Sequence, residues 1–393
     1  MSWKVSSLMS QRREFVRLAQ AEGVNFSRLC ERFAISRKTG YKWLERFQAT
    51  GDEGLADRSR RPHNSPCRTD QKIEQAVCEL RDKHPAWGGR KLHARLKALG
   101  RQDAPAPSTI TEILRRHGRL DPQESEKHRA WQRFEHPSPN DLWQMDFKGD
   151  FALDSGRCYP LTALDDHSRF ALILKACGDQ ATETVRGALI EAFRRYGLPR
   201  RMTMDNGVPW GTCGDEQNHY TVLTVWLLRL GVLITHSRPH HPQTQGKDER
   251  FHRTLGQELL RDHAFRLIPD CQPAFDRWRE VYNCERPHEA LGMAVPAARY
   301  RMSQRPFPER LPELDYPAGD VVRRVSGKTV SFQGRRIFVG RAFAGQEIAL
   351  RPTTTDGIWE VRYAHFRIGS LDLRESSADA HKVSPMSPNV CYP

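Results

Sequence analysis

Three carboxylates stand where the chain can bring them together. Asp146 lies inside the alternating run L-W-Q-M-D-F, Asp205 opens D-N-G at the close of a short apolar run, and Glu249 sits in G-K-D-E-R-F-H-R-T-L. Two carboxylates about 5 Å apart at an effective dielectric near 20 repel by roughly 3 kcal/mol, so three together are costly unless cations neutralise them. Oxygen-only ligands that leave open positions suit Mg²⁺ or Mn²⁺ rather than zinc. Two such ions about 3.5 to 4 Å apart activate a water or a 3′-hydroxyl and stabilise the leaving oxygen of a phosphodiester, which is phosphoryl transfer on DNA. Each acid alone has an ordinary alternative, since Asp in Asp205-Asn206-Gly207 also suits a turn. Asp248 differs from Glu249 only by helix phase, and Asp165 and Asp166 in L-D-D-H-S-R-F are nearby rivals that better suit the support of a sheet end or turn.

The elements that must position these acids read as a mixed sheet flanked by helices. Trp143, Met145 and Phe147 alternate with Gln144, Asp146 and Lys148, and period two is the strand signature. R-C-Y-P-L-T-A-L-D-D and R-F-A-L-I-L-K-A-C follow as strands at hairpin-like spacing. A helix over 182–196 leads to the strand R-M-T-M, a helix near 220–230 to V-L-I-T-H, and the Pro- and Gly-rich loop after it to the helix carrying Glu249. In that order the first and fourth strands lie side by side, with the last helix across their ends.

Before this α/β core, residues 1–62 and 63–122 read as two all-α helix-turn-helix domains. In the first, Ser27 and Ser36 are candidate caps, Tyr41, Leu44 and Phe47 form an apolar stripe, and Arg37, Lys38, Lys42 and Arg46 face outward toward DNA. In the second, Arg90, Lys91, Arg115 and Arg116 are the candidate phosphate contacts. Residues 123–140 suit a linker, 141–297 the catalytic core and 298–319 a second linker. Residues 320–376, with short runs such as E-I-A-L-R and I-W-E-V-R-Y, are expected to form a small β-barrel, and 377–393 an unstructured tail.

Composition agrees with a polyanionic partner. The formal charge is +14, and residues 1–136 carry 28 Lys+Arg against 17 Asp+Glu, so double-stranded DNA is expected to dock on the front third. Nine cysteines without a Cys-x-x-Cys pair fit reduced thiols rather than a zinc site. The most apolar window, 222–234, holds Arg229 and Gly231 and is too short for a membrane span. A soluble intracellular protein is the expectation.

The runs W-Q-M-D, L-D-D-H-S-R-F, D-N-G, H-P-Q-T-Q-G-K-D-E-R-F-H-R-T-L and Y-N-C-E-R-P-H-E-A-L resemble those of the DDE transposases of bacterial insertion sequences with a retroviral-integrase-type core. The likeness covers about residues 140–297 in strong motifs, and the helix-turn-helix front is similar too. It implies an RNase H-like fold in which Asp146, Asp205 and Glu249 hold the metals, and binding to transposon ends and target DNA by at least a dimer. It also implies that Gln243, Gln245 and Lys247 approach the transposon end and that Arg250 and Arg253 meet phosphates. Glu249 rather than Asp248 is chosen because it matches the family's Gly-Lys-x-Glu-Arg spacing. The 43 residues between Asp205 and Glu249 exceed the interval in many relatives, so 209–218 is expected to be an inserted loop. The rivals are a DNA-binding regulator with an inactive integrase-like core, and a metal-dependent nuclease that does not join strands.

Overall fold

The computed structural model describes residues 8–57, 69–120, 135–205, 207–211, 220–236, 246–261, 263–374 and 381–385. The chain divides into two compact units, Met1–Arg68 and Thr69–Pro393. Gln243, Gln245, most of the expected inserted loop and most of the expected tail lie outside the described residues.

In the first unit, α1 (Leu8–Ala19), α2 (Phe26–Arg32) and α3 (Arg37–Thr50) enclose Phe15, Val16, Leu29, Cys30, Trp43 and Leu55. Gly40 lets α3 approach closely: a Cβ there would sit 2.8 Å from Cys30 Sγ and 2.9 Å from the Phe15 ring. Ser36 caps α3 by accepting from the Thr39 N–H, as expected. The cap of α2 is Asn25, not Ser27, because Ser27 already lies within the helix and Asn25 accepts from the Arg28 N–H. The expected stripe is also rotated. Gly40 and Trp43 face inward, so Tyr41 lies about 100° from Gly40 and is 58% exposed, stacked on Phe26 at 4.2 Å.

The second unit opens with α4 (Gln71–Lys83), α5 (Gly89–Ala98) and α6 (Pro107–Arg116), packed around Val77, Trp87, Leu92, Leu96, Ile110, Ile113 and Leu114. The core follows as β1 (Leu142–Phe147), β2 (Phe151–Ala152), β3 (Arg157–Asp165), β4 (Ala171–Cys177), α7 (Thr182–Tyr196), β5 (Arg201–Met204), α8 (Val222–Arg229) and β6 (Leu233–His236). It closes with α9 (Gly246–Leu255), prolonged by a π turn over Gly256–Leu260, then α10 (Ile268–Cys284) and α11 (Pro296–Arg299). The sheet runs β4-β3-β1-β5-β6, with β1, β3 and β4 antiparallel and β1, β5 and β6 parallel. This is the expected mixed sheet. Trp143, Met145, Met202 and Met204 pack against α7 and α8 on one face, while Leu164, Ala171 and Leu174 pack against Phe251, Phe275 and Trp278 on the other.

Part of the second expected linker is bound along the core. Arg305 donates to the carbonyls of Pro199, Leu230 and Gly231, and its own carbonyl accepts from the Leu198 N–H. Beyond it run β7 (Val321–Arg324), β8 (Thr329–Phe332), β9 (Arg335–Phe338), β10 (Glu347–Pro352), β11 (Ile358–Tyr363), β12 (Phe366–Asp372), β13 (His381–Lys382) and β14 (Ser384–Pro385). The expected barrel does not form. One sheet has the order β14-β12-β11-β10-β7 and the other β13-β9-β8, and among the described residues neither closes on itself. The two enclose a shared cluster that includes Val330, Phe332, Ile337, Ile348, Leu350 and Val361, and Val225 and Leu228 of α8 join it.

Candidate active site

The parallel ladder of β1 on β5 sets the first two acids. Leu142, Trp143 and Gln144 lie opposite Arg201, Met202 and Thr203. Continued by two residues, that register puts Asp205, just past the end of β5, level with Asp146, about 5 Å away at the usual strand spacing. The electrostatics agree. The Asp146 carboxyl is pushed up to about 7, first by burial and then by the Asp205 charge.

Asp205 is held from three sides. His236 Nδ1 lies 2.9 Å from its carbonyl and must donate, since a carbonyl only accepts. The Gly207 N–H, at 3.0 Å, and the Trp210 indole N–H both donate to Oδ1. A Cβ at Gly207 would approach Oδ2 to 3.0 Å, so this turn is tight around the carboxylate. Trp210, inside the stretch expected to be an inserted loop, is buried and stacks on Phe147 at 5.4 Å. Nothing in the local sequence pattern distinguishes it as a partner of Asp205.

On α9, neighbouring acids take opposite environments. Glu249, Arg250 and Arg253 are exposed, while Asp248, Phe251 and Leu255 face the sheet. Asp248 is 2% exposed and its Oδ1 has no hydrogen-bond partner among the described residues. Burial, then the charges of Asp146 and Asp166, raise its carboxyl well above the usual range. One turn on, the His252 Nε2 lies 2.8 Å from Thr162 Oγ1, whose own proton goes to the Asp146 carbonyl at 2.9 Å. Nε2 therefore carries the hydrogen. Burial lowers this imidazole to about 4, keeping it neutral near pH 7. The i, i+4 spacing of Asp248 and His252 is the sequence signal that could have found this inward stripe.

Asp165 and Asp166 organise the turn between β3 and β4, as expected. Asp165 accepts from the Asn140 N–H at 2.7 Å and from Ser168 N–H and Oγ at 2.8 and 2.5 Å. Asp166 accepts from the His136 N–H and Gln144 Nε2, each at 2.8 Å, and pairs with Lys247. Lys247 is thus turned inward rather than presented to solvent.

The motif Y-N-C-E-R-P-H ties α10 to both sides of the site. The Asn283 side chain bonds the Ala171 N–H and carbonyl at 2.8 and 3.1 Å, and Arg286 pairs with Glu258 of the π turn at 2.9 Å, with side chains 8% and 10% exposed. Removing one partner of such a pair strands a buried charge, so Arg286→Ala is expected to cost about 3–5 kcal/mol in urea unfolding. Replacing both partners with apolar residues is expected to recover most of it.

The candidate DNA contacts divide by environment. Arg37, Lys38 and Lys42 are exposed on α3, and Lys42 and Arg46 lie over the Trp43 ring at 4.6 and 5.2 Å. Arg90 is exposed. Arg115 and Arg116 are exposed but paired, with Glu112 and Glu74 respectively. Lys91 departs from expectation: burial and then Arg286 lower its ammonium to about 8, with Glu258 and Glu289 acting in the opposite direction, and neighbouring Arg95 pairs with Glu285 at 2.7 Å. This face of α5 is docked on the core.

Oxygen donors that repel one another, one of them ionising only near neutrality, fit a hard divalent cation at Asp146 and Asp205. Among the described residues no set of three His, Cys, Asp or Glu side chains is already gathered for an ion. Because burial and repulsion raise both Asp146 and Asp248, protons favour the folded state. That contribution is present below the ordinary carboxylate value near 4 and is lost as pH rises through about 7, where Asp146 ionises. Thermal melts without metal are expected to fall across that window, and Mg²⁺ to raise Tm at pH 8 but not at pH 5; equal effects at both would contradict the assignment.

Families of known proteins match the chain in segments that follow these elements. A helix-turn-helix domain matches residues 11–63 and a homeodomain-like domain residues 39–114. Integrase core domains match 136–242 and 230–296, and the C-terminal domain of IS481 family transposases matches 320–379. The insertion element IS476 39.2 kDa protein of Xanthomonas euvesicatoria is 25% identical over 288 residues, 70% of this chain and 78% of that protein. In these matches the chain is similar to bacterial insertion-sequence transposases with an integrase-type core. The insertion element IS407 31.7 kDa protein of Burkholderia multivorans is 27% identical over 42% of this chain, which spans 57% of that relative. Among solved structures, a chain of the simian T-cell lymphotropic virus intasome in complex with PP2A regulatory subunit B56 gamma is 14% identical, covering 79% of this chain and 99% of that one at a TM-score of 0.37. The catalytic core domain of BIV integrase is 21% identical, covering 40% and 92%, at a TM-score of 0.31. Among the described residues, no helix is long and apolar enough to cross a membrane.

Proposed function

We propose that this chain binds the terminal inverted repeats of its own insertion sequence through its helical front, cleaves there with divalent cations, and joins the freed 3′-hydroxyl to target DNA. What supports the reading is the β1–β5 register, which continued by two residues sets Asp205, just past the end of β5, level with Asp146, together with the Asp146 carboxyl raised to about 7. Mg²⁺ or Mn²⁺, two ions by the chemistry of such sites, would polarise the scissile phosphate and activate the attacking oxygen. Asp146 and Asp205 would hold the metal, and Glu249, on the open side of α9, would complete the set. The Trp210 and Gly207 N–H groups keep Asp205 in one rotamer, while Thr162 and His252 fix the backbone of Asp146 to α9.

Arg37, Lys38 and Lys42, with Arg90, are the exposed cations proposed to grip end DNA, and Arg250 and Arg253 to meet phosphates beside the site. Two ends cut in concert require at least two copies of the chain. A strand-transfer assay in Mg²⁺, with duplexes copied from the inverted repeats flanking the gene, tests the reading. Joined product is expected. Binding without cleavage would favour the regulator, and cleavage without joining the nuclease.

A further inference from the structure

Lys247 occupies the first turn of the helix that carries Glu249, and a lysine beside a candidate DNA cleft is readily assigned to phosphate binding. Its surroundings argue otherwise. The side chain is 17% exposed and its Nζ donates to the carboxylate of Asp166, which is 2% exposed, and at 3.3 Å to the Asp166 carbonyl. The same carboxylate takes Gln144 Nε2 on Oδ1 and the His136 N–H on Oδ2. Gln144 stands two residues before Asp146 on β1, hence on the same face of the strand. A phosphate that drew Lys247 outward would leave Asp166 buried without its cation.

The pair also has a geometric consequence. Consecutive residues of a helix are about 100° apart, so the rotation of α9 decides which of Asp248 and Glu249 faces the sheet. Two polar ties fix that rotation: Lys247 to Asp166 at the first turn, and His252 to Thr162 one turn later. With both made, Asp248 is inside and Glu249 outside.

We propose that Lys247 and Asp166 are positioning residues, an internal tie that sets the rotational phase of α9 and thereby the placement of Glu249, and that Lys247 is not a DNA contact. The tie stands on the packing alone; its effect on cleavage rests on the proposed transposase reading.

The test uses the full-length protein with Lys247→Met, Asp166→Asn, the double substitution and Lys247→Arg. Hydrogen exchange of the α9 amides reads the tie without any catalysis. Each single substitution is expected to speed exchange there by about tenfold or more, the double to add nothing further, and Lys247→Arg to retain protection. Binding to duplexes from the flanking repeats is expected to change less than about twofold, with an unchanged salt slope. In Mg²⁺, cleavage at saturating DNA is expected to fall by roughly 10- to 100-fold for each single variant and no further for the double.

Unchanged α9 exchange in Lys247→Met, additive effects in the double, or weaker binding with a shallower salt slope in Lys247→Met alone would each overturn the inference. Should Asp166→Asn exchange quickly throughout the chain, Lys247→Met against Lys247→Arg decides. If the wild type cuts no DNA, the functional reading falls while the exchange data still judge the tie.

Discussion

Asp205→Asn is expected to lower cleavage and joining by more than about 1,000-fold while the protein keeps its fold and its grip on DNA. The substitution suits the question because asparagine retains an oxygen where Oδ1 accepts from the Gly207 and Trp210 N–H groups, so the turn can survive. What disappears is one negative charge beside Asp146. That loss has a readout independent of catalysis: the Asp146 carboxyl, raised partly by Asp205, should titrate lower, and the fall of stability toward pH 7 should shrink. Gel-shift binding, melting curves and strand-transfer yield measured together check the three parts. Retained joining would remove Asp205 from the metal site.

The second large effect separates the two neighbouring acids of α9. Glu249→Gln is expected to cost joining more than about 1,000-fold, whereas Asp248→Asn should stay within about tenfold of wild type. Asp248 is enclosed, its carboxyl raised by burial, and its Oδ1 has no hydrogen-bond partner among the described residues. Glu249 is exposed and has one more methylene of reach. Asparagine at 248 stays neutral at every pH, so this variant should also unfold at higher denaturant than wild type at pH 8. Rates from single-turnover cleavage, with urea midpoints alongside, decide the matter. The reverse ranking of rates would make Asp248 the third ligand.

The core was legible because its determinants are local. Alternation in L-W-Q-M-D-F gave the first strand, and the element order implied that it neighbours R-M-T-M, which the β1–β5 ladder bears out. The helix-turn-helix front was legible for the same reason, through cap residues and helical spacing. Its finer phase was not: Tyr41 and Trp43 are both aromatic, and only the close approach at Gly40 determines which turns inward. Long-range partners were hidden as well. Nothing near Asp205 reveals that Trp210 will fold back on it, and a lysine reads as solvated until tertiary packing brings a buried carboxylate such as Asp166 to its ammonium. The expected barrel failed because strand runs specify edges but not whether those edges meet; here two sheets face each other instead.

Helix α8 has consequences for how the molecule can be divided. Leu223, Trp226 and Leu227 belong to the interior of the integrase-like core sheet, whereas Val225 and Leu228 belong to the interior of the C-terminal sheets, so one eight-residue rod serves as a party wall between two rooms. A core fragment ending near residue 319 would bare that far side to water and is expected to clump unless its aliphatics are made polar. The C-terminal part of the chain is, in that sense, roofing for the core as much as an appendage to it.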